Sequence, residues 1–341
     1  MTTGEHPSSI VATFTVNPTV DLSLDVDRLL PEGKSRAQLR SIRAGGGGVN
    51  VARCVRRLGG ATLAVHTAGR EVGERLNRLL DEEGLPHLPV DIGGDTREAF
   101  VVADDETACS YHVVPGGPRL SAEEELRCLD VIADTARRCG LLVLSGGATP
   151  GLGAGFAAAV ARITAATGAK VIADIAGVQL ATMLTERTFL IRLDRTEAAA
   201  LIGRPVTTYA DARDANTLLL DRGACEHAVT TVGPLGAVCS DSESHYVISA
   251  PPLPTPPRSD ACAGDSLVAA IAYRLSTGTD VVGAAELGVA AAAATVMLPG
   301  TDVFDLPALA ALAAHTHAVR WSGPRVAPDD PQPGTSTRSL A

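Results

Sequence analysis

The chain has 341 residues, a formal net charge of −10 and a hydrophobic fraction of 45%. That length and apolar content suffice for one large core or two modest ones, which excludes a chain that is disordered throughout. The acidic balance argues against a nucleic-acid-binding protein, which would normally present a basic surface.

The predicted elements alternate between short β-branched runs and longer helical patterns along most of the chain. A strand followed by a helix, repeated several times, is typical of a parallel sheet with helices on both faces. We therefore predict an α/β fold with a central, mainly parallel sheet. The predicted strands are residues 11–16, 62–67, 141–144, 170–175 and 189–193; the predicted helices are residues 72–80, residues 153–166, one beginning near Val49 and one opened by a Ser121–Glu124 capping box.

Two early segments depart from this alternation. Leu22, Leu24 and Val26 alternate with polar residues, which predicts a half-exposed strand. Residues 99–103 and 108–114 flank a polar turn and predict a hairpin. We predict that about residues 20–44 and 96–115 form a small separate β-sheet. It would act as a lid over the carboxyl edge of the main sheet, where α/β proteins bind their ligands.

Both ends of the chain differ in composition from the middle. Residues 1–9 are polar, and residues 322–341 contain four prolines. Such segments bury too little apolar surface to fold, so we expect both to be disordered tails. A single domain is expected between them, over residues 10–321.

The seven cysteines include no pair with C-x-x-C spacing, and their odd number fits no complete disulfide scheme. We therefore expect neither a zinc site nor a disulfide framework, and a cytoplasmic location. The N-terminal residues lack the apolar core of a secretory signal. The longest strongly apolar stretch, Leu287–Leu298, is too short to span a bilayer and predicts a buried helix, so no membrane partner is expected.

The segment Ala263-Gly264-Asp265-Ser266 lies just before the helical run Leu267–Leu275. Small residues at a helix start leave backbone N–H groups free to face an anion, and the helix dipole adds positive charge. An acid placed there can take a proton from a hydroxyl while the amides hold a transferring phosphoryl group. The simpler interpretation is that Asp265 and Ser266 only cap the helix.

Four consecutive glycines, Gly45 to Gly48, precede Val49, Asn50 and more helical sequence. Glycines permit backbone conformations closed to other residues and a close approach to a ligand. The run is neither a Walker A loop nor a dinucleotide fingerprint, because it lacks a Lys-Ser/Thr pair and the G-x-G-x-x-G spacing. A flexible hinge is the alternative explanation.

Three basic residues, Lys34, Arg36 and Arg97, lie in or beside the predicted lid strands. Arginine offers a bidentate fork to phosphate and lysine a point charge. They are candidate ligands of a substrate phosphate, although basic residues are also common on ordinary solvated β-edges.

In combination, these segments resemble the ribokinase-like (PfkB) family of carbohydrate kinases, most closely its phosphofructokinase branch. The resemblance runs from about Thr13 to Thr301. Several motifs in the right order make it more specific than any one alone. The matching segments are residues 16–21, 31–34, 45–53, 111–116, 145–151, 232–237 and 263–266.

The resemblance implies an ATP-dependent kinase with a β lid, lids that pair in a homodimer, and a sugar phosphate as acceptor. Asp265 would be the catalytic base, and the backbone amides of residues 263–265 would form the anion hole, with Cys262 at the turn before Ala263 and Gly264. Four residues would hold the sugar hydroxyls, namely Asp21, Gly46, Gly47 and Asn50. Lys34 and Arg97 would bind the sugar's phosphate, with Arg36 as a weaker candidate.

On the nucleotide side, the resemblance implies that ATP lies against residues of two segments, 192–194 and 231–236. Glu197 would organise Mg²⁺ through water, as in the family's Asn-x-x-Glu motif. The residues implied along ATP are Arg192, Asp194, Thr231, Gly233 and Gly236.

The sequence departs from the family pattern near the implied ligands. Cys262 replaces the first glycine of the second signature, Asp194 replaces Asn, and Arg192-Leu193 replaces Lys-Pro. Gly147-Ala148-Thr149 replaces Ser-Leu-Pro, and His112 stands where phosphofructokinases tend to carry Arg. Since a small Cys commonly fills space, we interpret Cys262 as a packing residue rather than a reactive thiol.

Three hypotheses remain open from the sequence. The leading one is a kinase for a ketohexose phosphate, with fructose 6-phosphate as the acceptor. The second is a kinase for fructose 1-phosphate, tagatose 6-phosphate or an unphosphorylated sugar. The third is a non-catalytic sugar-phosphate or nucleotide-binding regulator, suggested by the changes at residues 192–194 and 262. A nicotinamide dehydrogenase is disfavoured because no dinucleotide fingerprint follows the first strand.

Overall fold

The structure is a computed structural model that describes residues 10–107 and 109–322. The predicted disordered tails, residues 1–9 and 322–341, lie outside the described residues except for Ser322.

The strands form two separate sheets. They are β1 (Val11–Thr15), β2 (Thr19–Val26), β3 (Ala37–Gly45), β4 (Thr62–Ala68), β5 (His87–Asp91), β6 (Arg97–Asp104), β7 (Cys109–Val113), β8 (Leu141–Ser145), β9 (Lys170–Asp174), β10 (Thr188–Leu193), β11 (Cys225–Thr231), β12 (Gly236–Ser240), β13 (His245–Ser249) and β14 (Ala318–Arg320).

The main sheet has ten strands in the order β14-β13-β12-β11-β10-β9-β8-β1-β4-β5. The strands from β11 to β5 in this order pair in parallel, and β12, β13 and β14 add an antiparallel edge. Central strands such as β1 and β8 are buried along their whole length, because helices cover both faces of a parallel sheet. The predicted α/β fold with a mainly parallel sheet is confirmed.

The helices divide between the two faces of the main sheet. One buried cluster joins the sheet to α3 through α7, and another joins it to α1, α8, α9 and α10. Ser121 and Glu124 form the predicted capping box at the start of α3. The helices are α1 (Gly47–Arg57), α2 (Arg70–Glu83), α3 (Ala122–Ala136), α4 (Phe156–Thr167), α5 (Gly177–Met183), α6 (Arg195–Ile202), α7 (Tyr209–Asp221), α8 (Ala263–Ser276), α9 (Val281–Thr295) and α10 (Leu306–Ala313).

The apolar stretch Leu287–Leu298 lies largely in α9, which begins earlier than predicted and ends at Thr295. Most of α9 is buried, as predicted, because it packs between α8 and the sheet edge. Among the described residues, no helix combines the length and the apolar character needed to cross a membrane.

The second sheet, here called the lid sheet, has four strands in the order β3-β2-β6-β7. β2 and β3 extend one residue beyond each end of the predicted segment 20–44, and β6 and β7, which form the predicted hairpin, lie within 96–115. Asp21 stands opposite Arg43 on β3 and Ala99 on β6, so these three share one face. Two apolar rows cross the other face, one through Ile42, Leu22, Phe100 and Val113 and one through Leu39, Leu24, Val102 and Tyr111.

Candidate active site

The candidate site lies at the carboxyl edge of the main sheet, where the chain leaves β1, β8, β9, β10 and β11. Parallel strands all end at the same edge, so residues distant in sequence meet there. The polar residues delivered by these strands are Asn17 and Asp21 after β1, Ser145 at the end of β8, Asp174 at the end of β9, Asp194 after β10 and Thr231 at the end of β11.

Asp265 lies in the first turn of α8, which begins at Ala263, four residues before the predicted helical run Leu267–Leu275. Its Oδ2 accepts a hydrogen bond from Asn50 Nδ2 at 2.9 Å. Burial, reinforced by the negative charge of Asp174, raises the pKa of Asp265 to about 7, although the bond from Asn50 lowers it. A carboxyl group with this pKa can both accept and release a proton near neutrality, which suits a general base.

The backbone before α8 makes a tight turn. Cys262, the N-cap residue, has a left-handed conformation with φ of 59°, which is unusual for a residue other than glycine. Its Sγ lies 3.4 Å from Asn50 Nδ2 and 3.8 Å from the Thr301 carbonyl. Burial raises the pKa of the Cys262 thiol well above its usual value. This environment favours the packing interpretation, since reactive thiols need a lowered pKa.

The Arg192 guanidinium lies against the first turn of α8 at Gly264. A Cβ placed on Gly264 would lie 3.1 Å from Arg192 Nη1, so the absence of a side chain lets the guanidinium approach the helix start. The Ala263 amide donates to the Asp260 carbonyl across 3.3 Å. First-turn amides have no acceptor within their own helix. Together with Arg192, they make an environment suited to a phosphoryl group.

The four glycines pack against neighbouring segments. A Cβ on Gly45 would overlap the Asp21 carboxylate, and one on Gly47 would overlap Ser145. Gly46 has a φ of 110° and serves as the N-cap of α1. The glycine run therefore allows close approach of β1, β2 and β8, which argues against the flexible-hinge alternative.

Asp21 lies near the base of the lid sheet and is 7% exposed. Burial raises the pKa of Asp21 to about 6, while its hydrogen bond with Thr19 and the charges of Arg53, Arg97 and His112 lower it. Arg97 lies beside it, and its guanidinium donates to the carbonyls of Pro115 (2.7 Å) and Asn17 (2.9 Å). These bonds hold the positive charge of Arg97 in place beside Asp21.

Lys34 and Arg36 are both exposed and lie in the loop between β2 and β3. This loop follows Val26, at the opposite end of β2 from Thr19, the residue that pairs with Arg97. Seven steps along a strand separate the two ends by about 23 Å. The structure therefore does not bring Lys34 and Arg36 to Arg97 within one chain.

Arg192 connects the nucleotide-side residues. Its Nη1 donates to Asp174 Oδ1 at 3.0 Å, and its Nη2 donates to Thr231 Oγ1 at 3.1 Å. Asp174 Oδ2 accepts from Ser145 Oγ at 3.0 Å. The Arg192 and Asp174 side chains are only 12% and 9% exposed. Thus a buried ion pair lies beside Asp265 and the start of α8.

Asp194 and Glu197 form a capping box at the start of α6. Asp194 Oδ1 accepts from the Thr196 and Glu197 amides, and Glu197 Oε2 accepts from the Asp194 amide at 2.7 Å. Burial, reinforced by the charges of Asp174 and Asp194, raises the pKa of Glu197 to about 7. The polar atoms of Asp194 thus serve the helix start, and Glu197 retains a second carboxylate oxygen for other partners.

The donor set near Glu197 fits a magnesium ion that is bound mostly by phosphate and water. Within residues 10–107 and 109–322, no three His, Cys, Asp or Glu side chains are grouped closely enough to hold a metal by themselves. Mg²⁺ keeps several waters and commonly takes one or two carboxylates plus substrate phosphates. Burial and the negative charge of Asp174 raise the pKa of Glu197. A cation bound nearby would offset this repulsion between carboxylates.

Gly233 and Gly236 lie in the turn between β11 and β12. Gly233 has a φ of 55°. The Arg195 guanidinium packs against it, because a Cβ added to Gly233 would lie only 3.2 Å from that group. Gly236 has a φ of 119°, which disfavours a residue with a side chain. This turn follows Thr231, so the implied ATP-side residues share one end of the sheet.

Two residues at the site were missed by the sequence analysis. Asp174 ends a buried strand with a charge, and such a residue at the carboxyl end of a parallel strand is a usable signal. Arg53 lies inside the predicted glycine segment but had no assigned role. It lies on α1 and donates to Asn50, and the i, i+3 spacing of these two residues in a predicted helix is the signal that could have indicated this contact.

Comparisons with known proteins agree with this geometry. A family model described as pfkB family carbohydrate kinase matches residues 11–309. An ATP-dependent 6-phosphofructokinase isozyme 2 from Mycobacterium tuberculosis is 34% identical over 291 residues, covering 85% of each chain. The isozyme 2 from Escherichia coli strain K12 is 31% identical, covering 85% of this chain and 94% of that protein.

The same architecture occurs in a solved structure. The crystal structure of phosphofructokinase-2 from Escherichia coli in complex with fructose-6-phosphate superposes with a TM-score of 0.82 at 28% identity. The superposition covers 89% of this chain and 98% of that one.

Proposed function

Since the chain belongs to the pfkB family of carbohydrate kinases, we propose that it phosphorylates a hydroxyl of a ketohexose phosphate, with fructose 6-phosphate as the acceptor. The names of the two similar proteins and the sugar phosphate bound in the similar structure support this acceptor. The reaction would break the bond between the γ-phosphorus of ATP and its bridging oxygen, and would join that phosphorus to the sugar oxygen.

One observation carries the proposal: Asp265 lies at the start of α8 with the Arg192 guanidinium against Gly264. The hydroxyl proton would pass to the Asp265 carboxylate as the sugar oxygen bonds to phosphorus. The first-turn amides and Arg192 would stabilise the negative charge of the transferring group. Phosphoryl transfer depends mainly on such positioning and charge stabilisation.

The sugar would lie between the lid sheet and the glycine run. Asp21 and Asn50 offer hydrogen-bond partners to its hydroxyls, and Gly46 and Gly47 leave room for it. The guanidinium of Arg97, fixed by two carbonyls beside Asp21, would attract the phosphate that the sugar already carries.

The nucleotide would lie along the β10–β11 side of the edge. Arg192, Thr231, Gly233 and Gly236 border this side, with Asp194 shaping the start of α6. Mg²⁺, when bound, neutralises phosphate charge, and Glu197 would hold it through water. The raised pKa of Glu197, caused first by burial, makes a nearby cation favourable.

We also propose that two copies pair through their lid sheets. The two apolar rows on the outer face include Leu39 (55% exposed), Tyr111 (40%) and Val113 (57%). A continuous apolar face of this kind marks an interface, and a second copy presents the same rows. Pairing would also bring Lys34 and Arg36 of each copy toward the other copy. Within one chain, these two residues do not reach Arg97.

The proposed reaction is tested by measuring ADP release with Mg·ATP across sugars and sugar phosphates. Turnover on a ketohexose phosphate is expected, with kcat lower in Asp265→Asn by about 10²–10⁴-fold, the usual cost of losing a general base. Asp260→Asn, an exposed acid just before α8, is the matched control and should keep full turnover. Near-normal turnover in Asp265→Asn would refute the assignment of the base.

The acceptor is tested with Arg97→Ala. A raised KM for the sugar phosphate with an unchanged KM for ATP is expected, because Arg97 lies on the sugar side. An unchanged KM for both would favour an unphosphorylated sugar. Calorimetry that detects ATP or sugar-phosphate binding without any ADP release would favour the non-catalytic regulator.

The homodimer is tested by sedimentation velocity. Leu39→Lys and Val113→Lys should shift the protein toward monomer by placing charge inside the apolar face. Val178→Lys, an equally exposed valine on α5, should leave the assembly unchanged. A wild-type chain that sediments as a monomer would contradict the proposal.

A further inference from the structure

A line of polar contacts runs from the end of α2 to Asp265. Arg53 on α1 donates to Glu83 through Nε at 2.8 Å and through Nη2 at 3.0 Å. Its Nη2 also donates to the Ala44 carbonyl at 2.5 Å, and its Nη1 donates to Asn50 Oδ1 at 2.7 Å. Asn50 in turn donates to Asp265. Two intervening side chains thus join Glu83 to the proposed base.

The contact between Arg53 and Asn50 decides which way the Asn50 amide faces. A guanidinium has only donors, so it can bond only to the oxygen of the amide. With the oxygen turned toward Arg53, the Nδ2 group is turned toward Asp265, where it makes the 2.9 Å bond. In the reversed orientation, the amide oxygen would face the Asp265 carboxylate, and two acceptors would repel each other.

We infer that Arg53 and Glu83 are positioning residues for the proposed reaction: Arg53 holds the Asn50 amide in the orientation that donates to Asp265, and Glu83 holds Arg53. The inference rests on the proposed role of Asp265 as the base. It adds to that role a supporting pair from α1 and α2, neither of which touches the reacting atoms.

The placement of Arg53 favours this role over simple helix packing. Its side chain is 10% exposed, and burial of an unpaired guanidinium is costly. An arginine that only joined α1 to α2 would need Glu83 alone, whereas Arg53 also reaches Asn50 and the Ala44 carbonyl, next to the glycine run. Arg56 on the same helix reaches the Glu83 carbonyl without contacting Asn50.

Glu83 pairs with the guanidinium and orients it. Burial would lower the pKa of Arg53, but its hydrogen bond and charge attraction with Glu83 raise it. The bond from Asn50 lowers the pKa of Asp265 against the upward effect of burial. Loss of the correct amide orientation should therefore leave the base protonated to a higher pH.

The experiment compares Arg53→Met, Arg53→Lys and Glu83→Gln, with Arg56→Met as the matched control on the same helix. For each, kcat, both KM values and the pH dependence of kcat/KM are measured, and rates are scaled to the folded fraction from thermal unfolding. Arg53→Met is expected to lower kcat about 10- to 100-fold, as loss of an orienting partner commonly does. Its KM for ATP should be unchanged.

The pH dependence provides the readout that packing alone would not change. In Arg53→Met, the rise of kcat/KM with pH should move to higher pH. Arg53→Lys, which keeps the charge and some donors, should recover part of kcat. Glu83→Gln should shift the profile in the same direction by less, and Arg56→Met should match the wild type. A kcat loss fully explained by unfolded protein, with an unshifted profile, would overturn the inference.

A crystal structure of Arg53→Met separates this inference from the proposed reaction. The Asn50 amide is expected to turn away from Asp265, lengthening the Nδ2–Oδ2 distance beyond hydrogen bonding. An amide that still donates to Asp265 would overturn the inference, even if the enzyme phosphorylates the expected sugar. If wild-type protein turned over no acceptor, the proposed function would fail, while the amide orientation would still decide whether Arg53 positions Asp265.

Discussion

Two buried arginines border the candidate site, and they are paired in opposite ways. On the sugar side, Arg53 pairs with Glu83, which lies outside the site and is 29% exposed. On the nucleotide side, Arg192 pairs with Asp174, which lies inside the site and is 9% exposed. Four of the five N–H groups of Arg53 are bonded to the protein, against two for Arg192.

The difference separates two uses of the same side chain. Arg53, with four of its five N–H groups bonded to protein groups, is suited to hold those groups in place. Arg192 has donors to spare, and its Nε has no hydrogen-bond partner in the described part of the chain. The remaining N–H groups on Nη1 and Nη2 could donate to a phosphate oxygen, so Arg192 is suited to contact the transferring group and Arg53 to position the base.

The largest expected effect follows from removing Arg192. Arg192→Met should lower kcat/KM by about 10²–10³-fold, the usual cost of losing a donor that stabilises transition-state charge. This exceeds the loss expected for Arg53→Met, because Arg53 acts through Asn50. Arg187→Met, an exposed arginine whose nearest acid is Glu226 at 3.5 Å, is the control measured beside it. Equal losses from Arg192→Met and Arg53→Met would erase the distinction between the two arginines.

The pH profile of kcat/KM should shift in opposite directions when Asp174 and Arg53 are replaced. Activity should rise with pH as Asp265, whose pKa burial raises to about 7, loses its proton. Asp174→Asn removes a negative charge beside Asp265, so the rise should move to lower pH by about one unit. Arg53→Met should move it to higher pH. Profiles of kcat/KM from pH 5 to 9 would measure both shifts, and shifts of the same sign would contradict this account.

Loss of the Asp265 proton should raise activity but lower the free energy of unfolding. Burial raises the pKa of Asp265 in the folded protein to about 7, well above its usual value. The protonated group therefore contributes stability at low pH, and this contribution is lost as the pH rises through about 7. Asp265→Asn avoids this loss and should stabilise the fold at pH 8 by about 1–4 kcal/mol, the upper limit being about three pKa units.

Urea unfolding at pH 8 and pH 5 would measure this gain, which should be smaller at pH 5. Glu83→Gln serves as the contrasting variant, because it deprives buried Arg53 of its counter-charge and should destabilise the fold at both pH values. An Asp265→Asn variant that is less stable than wild type at pH 8 would show that the carboxylate is not costly there.

The smallest expected effect concerns Cys262. Cys262→Gly relieves a left-handed conformation that costs about 1 kcal/mol for a residue with a side chain, and it loses packing of similar size. The free energy of unfolding and kcat should therefore both remain close to wild type. Thermal unfolding and the ADP-release assay would check this. A large fall in kcat would mean that Cys262, rather than Arg53, governs the Asn50 amide.

Local patterns in the sequence were enough to predict much of the fold. The alternation of strands and helices, the lid hairpin and the Ser121–Glu124 capping box depend on residues a few positions apart. Side-chain periodicity and turn chemistry act over that range, so they can be recognised without a structure. The position of Asp265 in the first turn of a helix is local in the same way.

Only the tertiary structure decided which groups meet. Asn50 and Asp265 are 215 residues apart, and nothing near either one indicates that they share a hydrogen bond. The sequence left open whether the glycine run is a hinge, and the contacts of Gly45 and Gly47 with Asp21 and Ser145 answer that. Lys34 and Arg97 looked alike as phosphate ligands until the strand register separated them.

The physical reason is that the tertiary packing of the chain determines which groups can pair with each buried charge. Burial makes each charge costly, so each must find a partner, but the partner is whichever group the fold brings within reach. In the sequence, Asp174 ends a buried strand and Glu83 ends a helix, but neither position indicates an arginine partner. The fold places one outside the site and one inside it, and this placement supports the proposals that Arg53 positions the base and that Arg192 binds phosphate.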